Sequence, residues 1–390
     1  MVSSFPAIPH GPLYYRQVEN DKIKALKLSC GNFDSCMNLS QTSMNDLLWW
    51  IAHVESAETR LIRSDPEFEL YTDSSGQAWG AHRKDTDIKA GGPWTASESS
   101  QHINVLEIKA CLFGLQALCN ECRDIHIRLL VDNTTAVTYV KNMGGSHSLQ
   151  CNEVARDIWQ WAINRNIWLT VAHVPGVANV IADRESRKKY QSETEWMLNP
   201  IVFRKLASEF TFTADIDLFA SRLNKQIDKF VSWNPEPECV GVDAFTMNWR
   251  HLNGYIFCPF SVIPRVLQQM SSQQAEALVI LPNWPTQPWF PTAMRMLVDK
   301  PRLINKHRCL LTLPTQPNKV HPLWDRLELM ACHLSGITTK QKAFRKTLLQ
   351  SYVNHGQMAQ SSNTEHISTG GSSFAMNGIL IPTIRIFQKF

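Results

Sequence analysis

Between Glu67 and Asp73 apolar and polar positions alternate, with Phe68, Leu70 and Thr72 on one side and Glu67, Glu69 and Tyr71 on the other. A period of two predicts a strand that ends at Asp73. Gly76 and Gly80 mark the turn into a second strand around 79–82, and Gly91-Gly92-Pro93 reads as the next turn. The period then becomes helical over roughly 104–119, where Leu106, Cys111, Leu112, Leu115 and Leu118 are available for a buried side. A β-rich run over 125–131 stops at Asp132. A helix over 134–142 ends at Gly144-Gly145. Another helix over 151–164 leads to a strand over 167–173, and a Pro175-Gly176 turn opens a last helix near Ala182. The order is two strands, an optional third, then α-β-α-α-β-α, which predicts an α/β sheet with helices packed on it.

The flanks differ in character. Residues 1–64 begin with a Pro/Gly opening and continue as helical segments, such as 42–61, where Ser43-Met-Asn-Asp46 reads as a capping signal ahead of Leu47, Leu48, Trp49 and Trp50. The stretch 195–334 is rich in Trp, Phe and Pro and reads as mixed α/β, with a buried strand over 278–281. The tail, 335–390, is rich in Ser, Thr, Gln and Gly and predicts a linker or disorder.

With 390 residues, the chain has room for two or three domains. A net charge of +4 permits a nucleic-acid partner without requiring one. Ten cysteines form no framework. The one close pair, Cys119 and Cys122, has no second pair at zinc spacing, so a structural zinc site is not expected and reduced thiols are. No signal-peptide pattern opens the chain and no run of about 18 apolar residues occurs, which points to an intracellular protein, cytoplasmic or nuclear, with no membrane partner.

Four acids fall at the ends of core elements, where packing alone would not ask for them. Asp73 ends the first strand, Asp132 ends the fourth, Glu107 sits on the helix between them and Asp183 starts the last helix. One acid in such a place is ordinarily a turn or cap residue. Four in order, each on the right kind of element, can converge on one sheet edge. Convergent carboxylates repel unless cations neutralise them, and hard oxygen ligands suit Mg²⁺ or Mn²⁺. Two such ions can activate water and stabilise the leaving oxygen in a phosphodiester displacement.

These motifs are Tyr71-Thr-Asp73-Ser-Ser, Leu106-Glu107-Ile-Lys-Ala, Val131-Asp132-Asn and His173-Val-Pro-Gly-Val-Ala-Asn179-Val-Ile-Ala-Asp183. In them the sequence resembles a type 1 ribonuclease H, and the spacing in the fourth is the most specific. The resemblance implies a ribonuclease H-like mixed sheet flanked by helices over 65–190. It implies that Asp73, Glu107, Asp132 and Asp183 bind two Mg²⁺ or Mn²⁺ ions, and that His173 assists proton transfer or product release. The substrate it implies is an RNA–DNA hybrid, recognised through the 2′-hydroxyls of its wide minor groove. Asn133, Asn179 and Gln77 are the candidate contacts. Glu185 and Arg187 lie close enough to support the site or substrate, or simply form a solvated helix face.

Leu13-Tyr-Tyr-Arg-Gln17, Trp49-Trp50 and Ala182-Asp-Arg-Glu-Ser-Arg187 resemble DIRS-type (tyrosine-recombinase) retrotransposon polyproteins. On that resemblance residues 1–64 are a reverse transcriptase thumb and connection remnant, and the rest of the reverse transcriptase is a partner. No Tyr-x-Asp-Asp occurs, so no polymerase activity is expected. Over 195–334, Asp217-Leu-Phe-Ala-Ser221, Trp249, Cys258-Pro-Phe-Ser261 and Leu281-Pro282 resemble an adenine-methyltransferase-like α/β domain. There the run Phe257-Cys258-Pro259-Phe260 keeps a stacking aromatic but puts Phe257 where such an enzyme has a hydrogen-bonding Asn or Asp, so a degenerate, inactive domain is expected. The sequence therefore predicts a metal-dependent endoribonuclease. The alternative is a non-catalytic nucleic-acid-binding relic of a truncated retroelement.

Overall fold

A computed structural model describes residues 4–5, 7–59, 62–188, 190, 196–348, 373–376 and 379–386. The chain divides into two compact units, Met1–Tyr190 and Gln191–Phe390. Among the described residues no helix is long and apolar enough to cross a membrane.

The first unit is a mixed five-stranded sheet flanked by helices. Its strands are β1 (Phe68–Ser74), β2 (Ala78–Arg83), β3 (Ile88–Pro93), β4 (His126–Val131) and β5 (Trp168–His173), in the order β3-β2-β1-β4-β5. The first three form an antiparallel meander, whereas β4 runs parallel to β1 and β5 parallel to β4. Phe68, Leu70 and Thr72 are buried and Glu69 and Tyr71 only partly so, the alternation that the period of two predicts.

Helices α1 (Arg16–Leu28) and α2 (Gln41–His53) precede the sheet. After it come α3 (Ala96–Ser99), α4 (Ile103–Leu118), α5 (Thr134–Lys141), α6 (Leu149–Ile163) and α7 (Val180–Ser186). Side chains satisfy the first amides of the helices around the sheet: His102 caps α4, Asn133 caps α5 and Ser148 caps α6. The core joins Leu70, Trp79 and Leu129 of the sheet to Ile108 and Leu115 of α4 and Trp159 of α6.

Three local expectations need correction. Gly91, Gly92 and Pro93 are not a turn but the last residues of β3. A Cβ on Gly91 would lie 2.2 Å from the Tyr190 hydroxyl, so this glycine answers to close packing rather than to a reversal of the chain. Ser40, not Ser43, caps α2, and the helix ends at His53, because the polar residues Glu55 and Ser56 offer no face to bury; Leu61 lies outside the described residues. Asp46 caps nothing. It is buried and paired with Arg156 of α6 through two hydrogen bonds of 2.6 and 3.0 Å, and with Leu13 in the core this ties the N-terminal stretch to the sheet domain.

The second unit holds a six-stranded mixed sheet of β6 (Ile216–Asp217), β7 (Asn253–Ile256), β8 (Glu276–Pro282), β9 (Arg302–Ile304), β10 (Leu329–Ser335) and β11 (Ile384–Ile386), in the order β11-β9-β10-β8-β7-β6. Helices α8 (Pro200–Glu209), α9 (Ile263–Gln273), α10 (Phe290–Arg295) and α11 (Thr338–Lys346) accompany it. The C-terminal stretch is thus not wholly linker. Its low periodicity hides an edge strand, β11, which runs parallel to β9 and needs only three residues to pair.

Gly80 fixes where α7 can lie. A Cβ there would sit 2.2 Å from the Ala182 carbonyl and 2.6 Å from the Ser186 amide, both backbone atoms that cannot swing away. The substitution Gly80→Ala should push α7 off the sheet and lower stability by about 1–3 kcal/mol, measured by urea unfolding. An unchanged midpoint would show that α7 is not seated as described.

Candidate active site

The acids converge because of strand register. Thr72 of β1 is paired with Val131 of β4, so the residues that follow, Asp73 and Asp132, emerge side by side at the carboxyl ends of two parallel strands. Helix α4 crosses the same edge and contributes Glu107 from its buried face. Ligand atoms of Asp73, Glu107 and Asp132 all lie within 4.8 Å of one another. Asp73 and Glu107 are buried, and Asp132 is partly open to solvent.

Asp183 is not in that group of three. It stands on α7, partly exposed, and its carboxylate accepts from Arg187 Nε at 2.6 Å. It is still close enough to act on Asp73 electrostatically. Helix α7 is tied to the site by Ser186, a buried residue whose hydroxyl donates to the Asp73 carboxylate. Sequence reasoning missed Ser186. The signal available was its place three residues after Asp183, one helical turn on.

His173 ends β5, exposed, with Nε2 3.1 Å from the Asp132 carbonyl. Gly176, just beyond, faces Asp132 Oδ2, which a Cβ there would meet at 3.4 Å, an ordinary contact. Asn179 is buried, and its side-chain amide donates to the Thr72 carbonyl at 3.0 Å while Oδ1 has no partner among the described residues. It anchors the 173–183 segment to β1. Asn133 accepts from the Ala136 amide at 2.9 Å and donates to Asn104 Oδ1 at 3.1 Å. Gln77 is exposed in the β1–β2 turn, and its carbonyl accepts from the Trp94 amide. Glu185 pairs with Lys188 at 3.3 Å. A cleft of about 580 Å³ opens where the starts of α4, α5 and α6 meet, lined among others by Asn104, Thr134, Thr138, Tyr139 and His147 but by none of the four acids.

The electrostatics of the cluster are those of crowded, desolvated acids. Burial first, and then Asp73 and Asp132, push Glu107 up to about 9. Burial likewise raises Asp73 to about 6, with Asp132 and Asp183 adding to it and the Ser186 hydroxyl opposing it. Glu107 Oε2 is buried and has no hydrogen-bond partner among the described residues. A buried oxygen without a donor, facing two further carboxylates, fits a divalent cation of the Mg²⁺ or Mn²⁺ type, whose ligands are carboxylate oxygens.

An acid whose folded value is raised binds its proton more tightly folded than unfolded, so stability falls as pH rises between the two values. For Glu107 that window runs from about 4.5 to about 9. Without divalent cations, Glu107→Gln should therefore raise stability by about 1–3 kcal/mol at pH 8 and by less at pH 5. Mg²⁺ should stabilise wild type more than the variant. Thermal melts with chelator or with Mg²⁺ test this, and a variant less stable than wild type at pH 8 in chelator would contradict the clustering.

No protein-family model and no curated protein matches the chain. Solved structures do. The chain is similar to ribonuclease H1 from the halophilic archaeon Halobacterium salinarum NRC-1, at 19% identity over 30% of this chain and 92% of that one, with a TM-score of 0.26. It is similar to LC11-RNase H1 in complex with RNA/DNA hybrid, at 17% identity over 30% of this chain and 93% of that one, with a TM-score of 0.27. It is also similar to the foamy viral protease-reverse transcriptase in complex with double-stranded DNA, at 10% identity over 43% of this chain and 31% of that one, with a TM-score of 0.20.

Proposed function

We propose that residues 65–190 are a ribonuclease H-type endonuclease of a retroelement polyprotein, cutting the RNA strand of RNA–DNA hybrids. The observation that carries this reading is the approach of Asp73, Glu107 and Asp132 to within 4.8 Å at the rim of a mixed sheet. Such a cluster is costly unless it serves to hold cations.

Asp73, Glu107, Asp132 and Asp183 would hold two Mg²⁺ or Mn²⁺ ions, which when bound supply an activated water and charge neutralisation at the phosphate. Asp183 belongs to the set through its seat on α7, with Arg187 holding its carboxylate on the exposed side. His173, exposed and oriented through Nε2 by the Asp132 carbonyl, has a ring nitrogen left to carry a proton at the rim. Asn179 and Ser186 position the segment that bears these groups. The cleft bounded by Asn104 and Thr134, residues close in sequence to Glu107 and Asp132, supports the docking of a nucleic-acid strand; Gln77 is exposed for contacts with the hybrid, and Asn133, half-buried, would first have to release Asn104. Residues 1–64 are the tail of a reverse transcriptase, its thumb and connection, and the remainder of that enzyme is the partner that adds grip on the duplex.

In the second unit, the run Phe257-Cys258-Pro259-Phe260 follows β7, and the Phe260 ring packs edge-on to Trp284 at 5.1 Å. Phe257 has no acceptor for an adenine amino group. On this reading the unit transfers no methyl group. Methylated adenine in DNA incubated with the protein and a methyl donor would overturn that part.

The direct test is cleavage of an RNA–DNA hybrid with Mg²⁺ by wild type and by Asp132→Asn. The variant should lose at least about a hundredfold in rate, the scale of a removed transition-state charge contact, while keeping its fold. Equal rates would sink the reading. Binding of the hybrid by wild type without any cleavage would favour a non-catalytic relic instead.

A further inference from the structure

Helix α4 carries Glu107 near its start and ends at a second cluster, twelve residues on, which at 1.5 Å per residue is roughly 18 Å away. Cys119 closes the helix and Cys122 follows it, the Cys122 amide donating to the Cys119 carbonyl at 3.0 Å. A hydrogen-bonded four-residue turn keeps its outer Cα atoms within about 7 Å, and a disulfide bridges Cα atoms about 4.4–6.8 Å apart.

Arg83, the last residue of β2, completes the cluster. Its Nη1 lies 3.5 Å from Cys122 Sγ and 3.3 Å from the Leu118 carbonyl, with N–H pointing at both, while Nε and Nη2 donate to Asp85 at 2.9 Å each. The guanidinium also rests on the Phe68 ring, 3.8 Å from its centre. The Leu118 contact matters, because free carbonyls at a helix C-terminus repel an anion. Arg83 covers one of them and sets its charge beside the sulfur. Cys119 is buried and Cys122 is partly open to solvent. One thiol thus faces solvent beside a cation, and a second waits beneath it.

The geometry assigns to Cys119 and Cys122 a reversible dithiol–disulfide site that exchanges with low-molecular-weight disulfides. The Cys122 thiolate attacks one sulfur of the small disulfide, whose S–S bond breaks and releases one small thiolate. Cys119 then gives its proton to solvent and attacks Cys122 Sγ, expelling the second small thiolate. The protein is oxidised by two electrons and the small disulfide is reduced by the same two. The order of attack follows from the surroundings. The Cys119 thiol and then the Arg83 guanidinium draw Cys122 down to about 6, against burial and Asp85, whereas its bond to Cys122 and then burial hold Cys119 well above the usual thiol range. The site is separate from the acidic cluster and does not depend on the hydrolytic reading.

The full chain is incubated with glutathione disulfide and its cysteines are mapped by mass spectrometry. Wild type should form the Cys119–Cys122 disulfide, Cys119→Ser should trap a glutathione adduct on Cys122, and Cys122→Ser should form neither. At pH 7 Cys122 should alkylate about two- to fourfold faster than the exposed Cys309, because a larger thiolate fraction outweighs its weaker nucleophilicity. At about pH 5.5, where the thiolate fraction dominates the rate, Arg83→Gln should slow Cys122 alkylation about two- to threefold and Arg83→Lys should restore it. Adducts confined to the exposed Cys30, Cys36 and Cys309, or a Cys122 rate indifferent to Arg83→Gln, would overturn the assignment.

Discussion

Like charges held together against their repulsion organise the first unit. Asp73 and Asp132 stand side by side because their strands are parallel neighbours in register, and Glu107 is brought over the same edge by a helix whose other buried residues are apolar. Among the described residues none of the three forms an ion pair, and Arg187 opposes the repulsion at Asp73 only weakly. Burial, and then the repulsion of Asp73 and Asp132, raises Glu107 to about 9, so the fold keeps a proton on that acid near neutral pH. Packing of the remaining sheet and helices has to supply the free energy that this arrangement withholds.

The segment from His173 to Arg187 is best understood as one device laid over that edge. Its contacts fall on β1 and β4 in turn: His173 on the Asp132 carbonyl, Asn179 on the Thr72 carbonyl and Ser186 on the Asp73 carboxylate. Gly80 lets α7 come close enough to β2 for the Ser186 bond to form. The segment therefore brings the fourth acid near the other three through hydrogen bonds made by different residues. Asp183 itself is held from outside by Arg187.

The second unit offers a useful contrast. Asp217, at the end of β6, is also buried and also raised, to about 7, by burial. Its oxygens accept from the Gln226 and Phe219 amides, and no second carboxylate contributes to its shift. That is an acid used to close a loop onto a strand. A perturbed acid by itself thus says little about function. The convergence of several, with an oxygen left over, says more.

Much of the first unit could be read from the order of residues. Period-two alternation located β1, helical spacing located α4, and Asp73 and Asp132 stood out as acids at the ends of apolar runs and Glu107 as an acid within one, because local backbone preference and burial leave their mark in adjacent residues. The meaning of Gly80 and Gly91, the cap at Ser40, the pairing of Asp46 with Arg156 and the bond from Ser186 to Asp73 could not be read this way. Each depends on a partner distant along the chain or on a close approach between elements, and the chain's local pattern carries no record of that distance. The sequence alone determined which acids were available and on which kinds of element they sat. Only the tertiary structure decided that three of them share one small volume while Asp183 stays outside it, because strand register and the seat of α7 are settled by contacts between segments far apart in sequence.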